Sequence, residues 1–202
     1  MSKVPNIVAR VVAFEAGLGV LAVGLAGAFG ISLVDQLIVT PRTTTWGIAG
    51  AVPMLVVMAI LAAIPWPPSQ EILVRVRDLV TPLFRESTVL QLGVVALAAG
   101  VGEELLFRGV MQTATTRVTG AAAAIVLTSL VFGLAHAITP LYAMLAAFIS
   151  AYLGWMMVAT GSLVPPIVAH AIYDWIALVY IVRNDRRTVD AVQRSTPDPG
   201  KT

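Results

Sequence analysis

Residues 88–112 read TVLQLGVVALAAGVGEELLFRGVMQ. About 20 apolar residues cross the ~30 Å hydrocarbon core of a bilayer as an α-helix, and this run is long enough to do so. Its first half is uncharged, and its second half carries Glu103, Glu104 and Arg108. An ionisable side chain at bilayer depth is expensive, so it marks a functional candidate. The stretch therefore reads as a helix in lipid with chemistry placed inside it.

The rest of the chain agrees. It has 202 residues, 58% hydrophobic and 12% charged, with mean hydropathy +0.88. Soluble domains carry about 25% charged residues, and half that complement cannot cover a globule of this size in water. The absence of cysteine excludes a disulfide scaffold and thiolate chemistry. A formal charge of +2 from 13 basic and 11 acidic groups gives no basic stripe, so no nucleic-acid partner is expected. The expected partner is the lipid bilayer.

Six apolar stretches of spanning length follow one another: 12–39, 46–64, 88–112, 120–138, 141–160 and 162–182. The first is too long for a signal-peptide core and reads as a retained span. The second stops at Pro65-Trp66-Pro67-Pro68. Between the second and third, residues 69–86 mix charged with apolar side chains and suit an interfacial amphipathic helix broken near Pro82. The sequence thus predicts an all-α polytopic membrane protein, a bundle of about six transmembrane helices with one interfacial helix. Residues 1–202 form a single integral membrane domain, ending in a polar, partly disordered tail over 183–202. With the N-terminus cytoplasmic, inside segments hold ten Lys and Arg residues, and outside loops hold only Arg42 and Arg117. The positive-inside rule then puts both termini in the cytoplasm.

Several further charges fall inside these spans. Glu15 and Asp35 lie near the ends of the first and read as snorkelling or solvated helix-end groups. Glu104 and Arg108, four residues apart, can pair on one helix face. Glu103 points about 100° away and stays outside that pair. The chain's two histidines, His136 and His170, both lie in spans, and Asp174 follows His170 by one turn. Counted from outer turns at Arg117 and Gly161, Glu103 and His136 sit roughly 21 and 28 Å deep, and His170 and Asp174 roughly 14 and 20 Å. All four fall around the middle of the bilayer. Glu103, Glu104 and Asp174 against Arg108 leave a net −2 if ionised, which a low-dielectric pocket does not tolerate. Protons, a histidinium or a divalent cation must reduce it. No HExxH occurs, yet Glu103, His136 and His170 can supply three ligands with a position open for water, so a zinc cofactor is possible.

At these residues the chain resembles the CAAX protease and bacteriocin-processing family of intramembrane endopeptidases, which includes the type II CAAX prenyl endopeptidases. The family pattern is a diglutamate followed by three residues and Arg, then Phe-x3-His, then His-x3-Asn or Asp, each on its own membrane helix. Here these are Glu103-Glu104-x3-Arg108, Phe132-x3-His136 and His170-x3-Asp174, within about 90–182. The resemblance implies hydrolysis of a peptide bond in a protein or peptide substrate. It implies Glu103 as general base, His136 holding the water, His170 and residue 174 at the oxyanion, and Glu104 with Arg108 organising the site. It leaves the choice between metalloprotease and glutamate-dependent chemistry open. Prenylated CAAX proteins are substrates of the eukaryotic relatives. Prokaryotic-type relatives, linked to bacteriocin maturation or self-immunity in the plasma membrane, are the more similar. Ionised Asp174 accepts hydrogen bonds but cannot donate one as Asn does. It is therefore protonated, or orients and charges His170, or ligates a metal, and the second fits best. The same groups also suit a proton- or cation-coupled transporter, or a non-catalytic membrane scaffold or immunity protein.

Overall fold

The computed structural model describes residues 7–195, and side chains as far as Asn184. Among the described residues the chain is helical, without a strand. The order is α1 (Ile7–Ala28), a 3-10 turn (Val34–Gln36), α2 (Pro41–Ala63), α3 (Pro67–Phe84) and α4 (Val89–Glu104). A π-helical segment (Leu105–Gln112) then leads into α5 (Thr113–Thr119), α6 (Ala121–Ala135), α7 (Pro140–Thr160) and α8 (Val164–Ser195). Five stretches are long and apolar enough to cross a membrane: α1, α2, the continuous run Val89–Thr119, α7 and the Val164–Asn184 part of α8. The apolar α6 is shorter. Exposed Phe14, Val20, Leu130 and Phe148 give the bundle an apolar outer surface suited to lipid.

Local sequence explains the helix ends. Thr40 and Thr88 cap α2 and α4 in capping boxes with Thr43 and Gln91. Thr139 caps α7, with Pro140 in its first turn. Gly30, at φ 59°, ends α1. Its N–H bonds to the Gly27 carbonyl and the Ile31 N–H to the Ala26 carbonyl, the pattern of a left-handed glycine stop. Arg117 then takes the Phe29 and Gly30 carbonyls at 2.6 and 3.0 Å. These contacts correct the first span, expected over 12–39. It starts at Ile7, stops at Ala28, and leaves Asp35 in the 3-10 turn.

Three other expectations shift. The fourth span, expected over 120–138, ends at Ala135, and His136 leaves helical geometry at φ −103°, ψ 18°. At 1.5 Å per residue α6 is only about 22 Å long. Pro82 lies inside α3, which runs on to Phe84 rather than breaking there. The sixth span, expected over 162–182, continues in α8 to Ser195, and the disorder expected at the end of the 183–202 tail falls on 196–202, outside the described residues.

α8 packs most extensively on α2 and α4, α1 on α4, and α6 on α7. One buried apolar cluster joins Ala51, Met54, Leu153, Met156 and Ala169 from α2, α7 and α8. Another joins Ala22, Ala26, Ile31 and Val110 beside the π segment. A third joins Phe84, Leu92, Val95 and Val182 from α3, α4 and α8, and a fourth joins Phe107, Phe132 and Ala146 from the π segment, α6 and α7.

Candidate active site

The diglutamate ends α4 where the helix changes its winding. From Leu105 the π segment replaces i→i+4 bonding with a wider turn, a feature that recurs at functional sites. Thr113 Oγ1 donates to the Arg108 carbonyl at 3.0 Å, occupying one acceptor in that turn. Arg108 Nη1 donates to Glu104 Oε1 at 2.9 Å. Its Nη2 donates to Ser150 Oγ and the Ser150 carbonyl at 2.8 and 3.0 Å. Glu104 and Arg108 are 0% and 1% exposed. The guanidinium also lies 4.9 Å from the centre of the Phe132 ring, a cation–π distance.

Glu104 reaches α8 as well. Its Oε1 is 2.8 Å from His170 Nδ1. An oxygen that already accepts from a guanidinium requires a donor there, so His170 carries its proton on Nδ1. The other ring nitrogen faces the opposite way, 3.4 Å from Asp174 Oδ2 and 4.0 Å from Glu103 Oε2. His170 is thus held between carboxylates contributed by two helices.

His136 arrives from the end of α6. Its Nδ1 is 2.9 Å from the Phe132 carbonyl, and a carbonyl only accepts, so Nδ1 bears the hydrogen. Phe132 stacks on the imidazole with centroids 4.2 Å apart. The ring is therefore fixed with Nε2 aimed at Glu103 Oε2, 3.8 Å away. Backbone that leaves the helix at membrane depth is tolerated where it lines a cavity, and His136 lines one of about 650 Å³. Glu15, Glu103, His170, Asp174 and Tyr142 line the same cavity. Most of its remaining wall is apolar and includes α3 side chains such as Ile72 and Val76. Glu103 Oε2 is buried without a hydrogen-bond partner.

Residues 85–176 match the model of the family described as type II CAAX prenyl endopeptidase, Rce1-like. Through this segment the chain is similar to the Rce1-like family. With five helices long and apolar enough to cross a bilayer among the described residues, this chain is an integral multi-pass membrane protein. Among curated proteins and among solved structures no match was found.

All six sequence-identified residues of this Rce1-like segment come together. Glu103, His136, His170 and Asp174 share the cavity, and Glu104 and Arg108 lie behind it. A metal fits less well. Among the described residues no group of three or more His, Asp or Glu side chains is arranged to hold an ion, and both histidine nitrogens stand 3.8–4.0 Å from Glu103 Oε2. Tetrahedral zinc ligands lie ~2.0–2.2 Å from the ion, which brings neighbouring ligand atoms closer together than that.

Sequence reasoning missed three contributors. Ser150 carries no signal of its own, because it matters only through Arg108. Tyr142 looks like an ordinary aromatic of α7, yet it lines the cavity within electrostatic reach of Asp174 and Glu103. Glu15, read as a solvated helix-end group, is buried and faces the site. With α1 starting at Ile7, it lies two turns inside the helix.

Proposed function

We propose that the chain is a glutamate-dependent intramembrane endopeptidase. The carrying observation is the convergence of Glu103, His136 and His170 from three helices. Glu103 Oε2 lies 3.8 Å from one imidazole nitrogen and 4.0 Å from the other. These separations are too long for direct hydrogen bonds and suit a water shared between them. Ionised Glu103 takes a proton from that water, and the oxygen attacks the scissile carbonyl carbon. His136 Nε2 holds the water in line. His170 Nε2–H donates to the oxyanion that develops. Asp174 and Glu104, one on each ring nitrogen, favour the doubly protonated imidazole this needs. Collapse of the intermediate breaks the C–N bond, and Glu103 passes its proton to the leaving amine. The products are a carboxylic acid and an amine.

Arg108 and Ser150 hold Glu104 in place and touch no reacting atom. The apolar wall from α3 accommodates a membrane-associated peptide or prenyl chain next to the reacting groups. The test is cleavage of a quenched apolar peptide by the purified protein in nanodiscs. Glu103→Ala reduces kcat/KM by about 10³-fold or more while leaving the melting temperature in place. Treatment with 1,10-phenanthroline leaves the wild-type rate unchanged. Full activity in Glu103→Ala would sink the reading, and chelator-sensitive activity restored by zinc would replace it with a metalloprotease. Proton or cation flux without proteolysis would favour a transporter.

A further inference from the structure

The cavity's charge is mostly negative, with the His170 imidazolium set against its carboxylates. Three carboxylates line it, Glu15, Glu103 and Asp174, and among the described residues no lysine or arginine does. The nearby cation, Arg108, is taken up by Glu104 and Ser150. Glu103 and Asp174 have work to do on water and on His170. Glu15 has none of this kind: its Oε2 is buried without a hydrogen-bond partner, and the residue is 8% exposed.

The backbone fixes where Glu15 stands. Gly102, the residue before Glu103, approaches α1 so closely that an added Cβ would collide with the Glu15 carbonyl. Glu15 is therefore level with the diglutamate and within electrostatic reach of Asp174 and His170. It also borders a second, shallower groove between α1 and α4, lined by Val20, Val94 and Leu97. Burying a carboxylate without a partner costs several kcal/mol, and such groups in membrane helices mark substrate paths.

We infer that Glu15 forms a subsite for a cationic side chain of the substrate, so that this endopeptidase takes an apolar peptide bearing a lysine or arginine beside the scissile bond. This rests on the hydrolase reading for the word "scissile" but not for the binding itself. A lysine ammonium placed at Glu15 supplies the missing positive charge and the donors that its carboxylate lacks. The rest of an apolar peptide lies along α3. A substrate carrying an anionic group at the same position would meet the Glu15 carboxylate directly, with Glu103 and Asp174 in the same cavity.

The test uses the full chain in nanodiscs and three leucine-rich peptides that differ at one position: lysine, Nε-acetyl-lysine or norleucine. Binding is measured by microscale thermophoresis, and cleavage by mass spectrometry. The lysine peptide is expected to bind at least tenfold tighter than the other two. Glu15→Gln removes that difference, and Glu15→Asp keeps part of it. The acetylated peptide needs no variant, so the comparison holds even if Glu15→Gln fails to fold. Equal binding of all three peptides to wild type overturns the subsite, and so does a lysine preference that survives in folded Glu15→Gln. Lysine-selective binding without cleavage at any position keeps the subsite and overturns the peptidase instead.

Discussion

Glu103 and Glu104 are neighbours in the chain, yet they face regions of opposite character. Behind the helix, Glu104 bonds Arg108 and His170, and Arg108 bonds Ser150, all at 2.8–3.0 Å in a buried knot. In front, Glu103 faces His136 and His170 across 3.8 and 4.0 Å, and His170 faces Asp174 across 3.4 Å, beside a cavity. Short direct bonds hold a shape, and wider gaps leave room for chemistry. His170 belongs to both regions, one ring nitrogen in each. The back knot holds the Nδ1–H and so fixes the ring orientation that the front region uses.

The sharpest way to break this contrast is to remove the cation at the back. Arg108→Met leaves Glu104 buried opposite an apolar side chain, and losing one partner of a buried pair costs about 3–5 kcal/mol. Unfolding by SDS titration in mixed micelles measures it. Adding Glu104→Leu recovers much of that loss, because the orphaned charge is gone. An Arg108→Met variant as stable as wild type would show that the knot is dispensable.

The pairing of Glu104 with Arg108 was legible because it follows helical spacing within one segment, and so was His170 with Asp174. The contact of Glu104 with His170 was not, since it joins α4 to α8 and nothing local encodes it. Ser150 was invisible for the same reason. Glu15 was misread because the unbroken apolar run 12–39 set it at a helix end. A glycine stop at Gly30 and the carbonyl contacts of Arg117 move the helix toward the N-terminus. The early end of α6 was hidden by apolar residues on both sides of His136. The helical class and the amphipathic α3 were legible throughout, because composition and periodicity alone determine them.

A smaller effect separates the two regions through their common boundary, Gly102. Alanine there drives its Cβ against the Glu15 backbone carbonyl, and backbone cannot swing aside as a side-chain tip can. The expected cost is about 1–3 kcal/mol of stability. A fall in kcat/KM is expected with it, because α1 moves away from the front region. Gly24→Ala, on α1 with nothing within 4 Å of the added carbon, is the control and lowers neither quantity. If Gly102→Ala also leaves both unchanged, the close approach of α1 has no bearing on the site.

The gentlest probe is Asp174, whose side chain is 29% exposed and 3.4 Å from His170 Nε2. If its task is to orient the imidazole, an acceptor of the same shape suffices. Asp174→Asn keeps a carbonyl oxygen at that distance and adds a donor toward the cavity, so kcat/KM stays within about tenfold of wild type. Asp174→Leu removes the acceptor and costs about 10–100-fold, the usual penalty for losing the group that orients a functional histidine. Should the asparagine variant fall as far as leucine, the negative charge itself is what the front region needs. His170 would then owe its second proton to Asp174 rather than to Glu104, and the back knot would serve stability alone.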